Sequence, residues 1–211
     1  NEPVAISNGI SYYTGNITAT IKIKEANFYP EDVSIKVNGS SVKANNWTQS
    51  GDNWTGIVTI SGDGPYQLNV DYKDRSQNKM KSYMSKDLTI DSQRPSITVK
   101  GIKNASANKQ DKIGFSIVVM DENLNASSFQ AILTAIYRTN EGIFKKKNID
   151  IGKPVLSSGG KINTYTMENI KEDAFYTLQC KTEDQAGNFI DTFAVSDSEN
   201  KYTDTMSFSV N

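Results

Sequence analysis

The chain has 211 residues, of which 36% are hydrophobic, 9% aromatic and 22% charged. That is one large or two small domains with modest cores, and too apolar a composition for disorder. Lys and Arg number 23 against 24 Asp and Glu, a net charge of −1, which argues against nucleic-acid binding, whose footprint is a basic excess or stripe. There is no histidine and a single cysteine, Cys180, which removes Ser-His-Asp and Cys-His catalysis, His-ligated zinc, imidazole bases and any internal disulfide. No apolar run approaches the roughly 18–20 residues that cross a bilayer, so membrane insertion is not expected of this segment. The opening Asn1-Glu2-Pro3 reads as the interior of a longer chain, with any targeting signal outside it.

In chain order, the periodicity is two. Ile21 and Ile23 alternate with Lys22 and Lys24, Val33, Ile35 and Val37 with Ser34 and Lys36, and Tyr66, Leu68 and Val70 with Gln67 and Asn69. This is the pattern of half-buried strands, apolar in and polar out. Turn signals punctuate it at Asn38-Gly39, Gly51-Asp52, Gly62-Asp63-Gly64 and from Asp74 to Asn78, the spacing of antiparallel hairpins in a sandwich. Residues 125–138 also read as a helix, with Phe129, Ile132, Leu133 and Ile136 on one face. Their counterpart, residues 29–37, holds Pro30 and alternates cleanly, so a turn followed by a strand is the preferred reading of both.

That counterpart comes from an internal repeat. Ile21 to Phe28 (IKIKEANF) matches Ile117 to Leu124 (IVVMDENL), and Asp63 to Val70 (DGPYQLNV) matches Asp173 to Cys180 (DAFYTLQC). The latter register carries Asp74 and Asn78 onto Asp184 and Asn188, so KDRSQN is the counterpart of EDQAGN. Two domains are expected, residues 1–92 and 93–211, joined near Asp91-Ser92-Gln93-Arg94-Pro95. The second carries an insertion around 137–167, where Gly152, Pro154, Gly159 and Gly160 mark loops or an added hairpin.

Val37-Asn38-Gly39, Trp47, Trp54, the Asp63-Gly64-Pro65-Tyr66-Gln67-Leu68 segment and the Asp-x-x-x-Asn turn together resemble the bacterial immunoglobulin-like repeats of Gram-positive cell-surface proteins. The second unit keeps Tyr176, Leu178, Asp184, Ala186, Gly187 and Asn188 of that pattern, while the first departs from it at Arg75-Ser76-Gln77. The resemblance covers nearly the whole chain in two copies. It implies an all-β fold of two tandem immunoglobulin-like antiparallel β-sandwiches, extracellular, secreted or at the cell surface, used as stalk, spacer or adhesive module. It implies no shared catalytic residues.

The candidate sites each have a structural alternative. Asp184, Gly187 and Asn188, with Asp74 and Asn78 in the first copy, read as a turn in which the acid binds backbone N–H groups and the glycine supplies positive φ. Calcium is the alternative, with Asp91, Asp184 and Asp74 as oxygen ligands near the domain junction. The EF-hand and phosphate-loop patterns are missing. Trp47 and Trp54 flank a hairpin tip, the arrangement of a sugar-stacking platform, or else they fill the sandwich core. Cys180 aligns with Val70 and reads as a buried small hydrophobe. Lys22, Lys24 and Lys36 point outward by alternation, which disfavours intramolecular isopeptide bonds.

The function expected is a non-enzymatic spacer or adhesive segment of a bacterial surface protein, with a host glycan, a host protein or neighbouring repeats as partners. A carbohydrate- or protein-binding module and an accessory domain of a secreted enzyme are the alternatives.

Overall fold

A computed structural model describes residues 1–109, 113–197 and 202–211. Its contacts divide the chain into two compact units, Asn1–Gln93 and Arg94–Asn211. Both are immunoglobulin-like antiparallel β-sandwiches.

The first unit runs β1 (Ala5–Ser7), β2 (Ile10–Tyr13), β3 (Ile17–Lys24), β4 (Val33–Val37), β5 (Ser40–Val42), β6 (Asn45–Ser50), β7 (Asn53–Ile60), β8 (Gly64–Tyr66), β9 (Leu68–Tyr72), β10 (Tyr83–Met84) and β11 (Leu88–Ile90). Strand orders are β3-β7-β6 on one side, and β10-β9-β4-β5 with β1-β2-β11-β8 on the other. Only Gln67 separates β8 from β9, which belong one to each of the last two sheets. The inward residues of each pattern meet between the layers: Ile17, Ile21 and Ile23 from β3, Val58 and Ile60 from β7, and Ile35, Leu68, Val70 and Ile90 opposite. Lys22, Lys24 and Lys36 are exposed, as alternation requires.

The second unit runs β12 (Ser96–Lys100), β13 (Ser106–Asn108), β14 (Ile113–Met120), β15 (Gln130–Arg138), β16 (Phe144–Ile149), β17 (Val155–Ser157), β18 (Ile162–Ile170), β19 (Ala174–Glu183), β20 (Phe189–Ile190), β21 (Ala194–Val195) and β22 (Met206–Val210). Its sheets are ordered β17-β18-β14-β12-β21 and β13-β22-β19-β15-β16, with β20 added to β19. Residues 125–128 form a turn and the strand β15 follows. The extra length between 137 and 167 lies in a hairpin paired from Leu133↔Ile149 to Arg138↔Phe144, against Ile35↔Val42 to Val37↔Ser40 in the first unit, and in β17 with a 3₁₀ turn at Ser158–Gly160.

The two units share a tyrosine corner, in which a tyrosine hydroxyl near the start of a core strand bonds back to the main chain a few residues upstream. The Tyr66 hydroxyl donates to Gly62 O at 3.0 Å, and the Tyr176 hydroxyl donates to Glu172 O at 3.0 Å. Tyr176 is also stacked on Phe208, with centroids 4.9 Å apart and planes 7° apart. Burial, then Glu172 and Asp173, push its hydroxyl up to about 12.

One core position breaks the pattern. Asn163 on β18 lies opposite Val119 and is wholly buried, yet neither its amide nitrogen nor its oxygen has a hydrogen-bond partner among the described residues. An unsatisfied buried amide costs about 1–3 kcal/mol. Asn163→Leu, close in volume, is therefore expected to raise the second unit's melting temperature by several degrees, as read by calorimetry. An unchanged or lower value would mean the amide is satisfied in solution.

Candidate functional site

The Asp-x-x-x-Asn segments fold into the same structure twice. In the second unit Asp184 Oδ1 accepts from Asn188 N at 2.9 Å and Oδ2 accepts from Asn188 Nδ2 at 2.7 Å. In the first unit Asp74 does the same with Asn78, at 2.7 Å and 2.7 Å. Both loops also close through the main chain, Asp184 N to Asn188 O and Asp74 N to Asn78 O. The bonds from Asn78 hold the Asp74 carboxyl below the usual range. The carboxylate is thereby committed to bracketing its own loop.

The position before each Asn needs a left-handed backbone: φ is 81° at Gly187 and 74° at Gln77. Glycine takes this without cost, whereas a side chain pays about 1–2 kcal/mol. A Cβ on Gly187 would meet nothing within 4 Å, so the difference is conformational rather than steric. Gln77→Gly is expected to stabilise the first unit by about 0.5–1 kcal/mol and Gly187→Ala to destabilise the second by a similar amount, both read from denaturant midpoints. Equal and opposite failure of the pair would show that the two loops are not equivalent.

The second copy is the more deeply set. Asp184 is buried, Gln185 N donates to Asn123 O at 2.8 Å, and Asn123 N donates to Asp121 Oδ1 at 2.7 Å. Asp121 and Asp184 thus bring carboxylate oxygens within 4.8 Å of each other. Calcium takes six to eight oxygens, and both carboxylates already accept protein N–H groups. Asp74 joins no group of three or more metal-ligating side chains among the described residues. Asp91 is buried, its amide donates to Tyr13 O at 2.8 Å, and its Oδ1 accepts from Gln93 N at 3.1 Å. Nearby, Ser92 and Gln93 hydrogen-bond the Asp63 carboxylate, and these bonds hold its pKa low.

Trp47 and Trp54 are half-buried against the first unit's core. Phe28 sits between them, 4.9 Å from each ring, and 5.1 Å from Tyr72. Trp54 Nε1 donates to Glu25 O at 3.1 Å. Trp47 lies flat on β7, where a Cβ at Gly56 would stand 2.8 Å from its ring; a glycine inside a strand is the sequence signal of such close approach. Trp54→Ala is therefore expected to destabilise the first unit by about 2–3 kcal/mol, measured by urea denaturation. Unchanged stability with loss of sugar binding on a glycan array would reinstate a stacking platform.

An outward apolar row was hidden in the sequence. On β15 Leu133 turns inward and is fully buried, while Ile132 and Ile136 are 50% and 36% exposed. Ile136 pairs directly with Phe175 of β19, and Phe144 follows on β16. The i, i+4 spacing of Ile132 and Ile136 suggests a helix face, but on a strand both fall on the outer surface. The basic run Lys145 to Lys147 lies on β16, where Lys147 pairs with Glu172 and lies 5.3 Å from the Tyr137 ring centre. Cys180 is buried, and burial pushes its thiol up to about 12, which closes it off as a nucleophile.

No family model and no curated protein matches the chain. Among solved structures, it resembles SGBP-B of the Bacteroides ovatus mixed-linkage glucan utilization locus, in complex with a mixed-linkage heptasaccharide. The identity is 17% and the TM-score 0.25, over 92% of this chain and 42% of that one. It also resembles the fibronectin(III)-like modules of Clostridium thermocellum CbhA, at 8% identity and TM-score 0.34, over 98% and 90% of the two chains. Likenesses this distant say nothing about ligand or partner.

Proposed function

We propose that this chain is a non-enzymatic segment of a bacterial cell-surface protein, extracellular in setting, and that it acts as a load-bearing spacer. The observation that carries this reading is how each sandwich closes. In the first unit β2 pairs in parallel with β11, from Ser11↔Leu88 to Tyr13↔Ile90. In the second, β13 pairs in parallel with β22 and β12 with β21. A strand from the start of each unit thus lies parallel to one near its end. Tension at the two ends of such a unit pulls these strands in opposite directions along their length. Their hydrogen bonds are then loaded together in shear, rather than one at a time as in a peeled hairpin. The repetition of one unit, with the same corner and the same bracketed turn, is what a modular spacer requires.

An adhesive role is the second reading, favoured by the exposed row of Ile132, Ile136, Phe144 and Phe175 on the second unit.

Pulling the chain from its ends in a force spectrometer should give two discrete unfolding events. From the 93 and 118 residues of Asn1–Gln93 and Arg94–Asn211, the contour-length gains are about 30 nm and about 40 nm at roughly 3.4 Å per residue. Ser11→Pro removes the amide that donates to Asp87 O and should lower the force of the shorter event alone. Smooth extension without discrete events would remove the spacer reading.

A further inference from the structure

Asn-Gly occurs twice, as Asn8-Gly9 and Asn38-Gly39, and the two copies are alike in main chain. Each is the two-residue loop of a hairpin, closed by Ser7↔Ile10 between β1 and β2 and by Val37↔Ser40 between β4 and β5. Both residues of each loop have positive φ, 51° and 83° at Asn8 and Gly9, 49° and 80° at Asn38 and Gly39. This is the type I′ turn that asparagine and glycine favour. In each hairpin the outer strand, β1 or β5, has three residues and ends its sheet. All four loop residues are exposed, and a Cβ at either glycine would meet nothing within 4 Å.

The asparagine side chains differ. Asn38 Nδ2 donates to Pro65 O at 2.9 Å, and its Oδ1 accepts from Gln67 N at 2.8 Å. Asn38 N also donates to Gln67 O at 3.0 Å, so the residue is clamped against the segment that links β8 and β9. Among the described residues the Asn8 carboxamide has no hydrogen-bond partner.

The carboxamide carbon of an asparagine is an electrophile within reach of the next residue's main-chain nitrogen. Attack is least hindered when that residue is glycine, which has no Cβ and turns freely about its main-chain bonds. The Gly9 nitrogen, losing its proton to solvent, bonds to Asn8 Cγ. The carboxamide C–N bond breaks and ammonia leaves, giving a five-membered succinimide. Water then adds to either ring carbonyl, and the ring opens to aspartate or to isoaspartate, whose main chain runs through Cγ. Nothing is oxidised or reduced, and water is the one co-reactant. At Asn38 the same rotation of the carboxamide first gives up both clamp bonds.

We propose that Asn8 is a site of spontaneous deamidation, and that Asn38, in the same turn, is protected by its clamp. Two ordinary hydrogen bonds, broken before the carbon can be reached, slow Asn38 relative to Asn8 by about thirtyfold. Conversion at Asn8 places a carboxylate on the loop. In the isoaspartate product it also adds one main-chain carbon to a loop whose length sets the Ser7↔Ile10 register. β1 is then loosened from β2, while β2 stays paired with β11.

The test incubates the whole chain in mildly alkaline buffer, folded and, in parallel, unfolded in concentrated urea. Each Asn-Gly is followed by peptide mapping and by labelling with an isoaspartyl methyltransferase, with Asn8→Gln as the control that removes the first site. The expected result is similar conversion of both sites in urea and, in the folded chain, Asn8 ahead of Asn38 by about thirtyfold. Hydrogen exchange in the aged folded chain should quicken in the hairpin of β1 and β2 and stay unchanged in that of β4 and β5. Equal rates in the folded chain, the same ratio in urea as in the folded chain, or conversion of Asn8 confined to urea, overturns the proposal.

Discussion

A strand has two edges, and each carries half of its backbone hydrogen-bonding groups; the architecture of both units follows from how those edges are filled. In the second unit the central strand is flanked on both sides, and side chains from both sheets reach complete burial, among them Val99, Ile117, Val119, Leu133 and Leu178 at 0% exposure. In the first unit, whose corresponding strand has one partner strand among the described residues, the most buried core side chains, Val58 and Ile90, keep 2%. The same sequence pattern produces a tighter core where the sheet has five strands rather than three.

The two bracketed loops differ in what lies between their ends. The bracket of Asp and Asn is kept in both, because two carboxylate oxygens facing one asparagine's amide and main-chain N–H fix the loop's width. Between the bracket ends the first copy has Ser76 exposed where the second has Ala186 buried at 1%. It also has Arg75, paired at 2.7 Å with Glu31 and at 3.2 Å with Asp32, with its guanidinium 3.4 Å above Tyr29. An exposed cation network in one copy thus occupies the place of the packed second-copy loop, where Gln185 N binds Asn123 O.

Much of this fold was legible before any coordinates. Period-two alternation gave the inward faces of β3, β4 and β9, and the paired Asp and Asn spacing gave the repeat, because both are local properties of the chain. The turn before β15 was reached through the repeat rather than through local propensity, which also allowed a helix. What could not be read depends on long-range approach. Gly56 signals a close approach, but nothing local says that Trp47 makes it, that Asp121 stands beside Asp184 across the fold, or that Ile132 and Ile136 face outward.

Cys180 has a chemical consequence that follows from its place on the central strand of the second sandwich. A thiol held neutral and walled off by the core cannot exchange with disulfides or meet oxidants while the unit is folded. Once the unit opens, the same sulfur returns to an ordinary acidity and becomes open to capture. Modification at that single atom would then oppose repacking, since the Cys180 side chain returns to 3% exposure within the core cluster. An opening of the unit would in this way leave a covalent record on it.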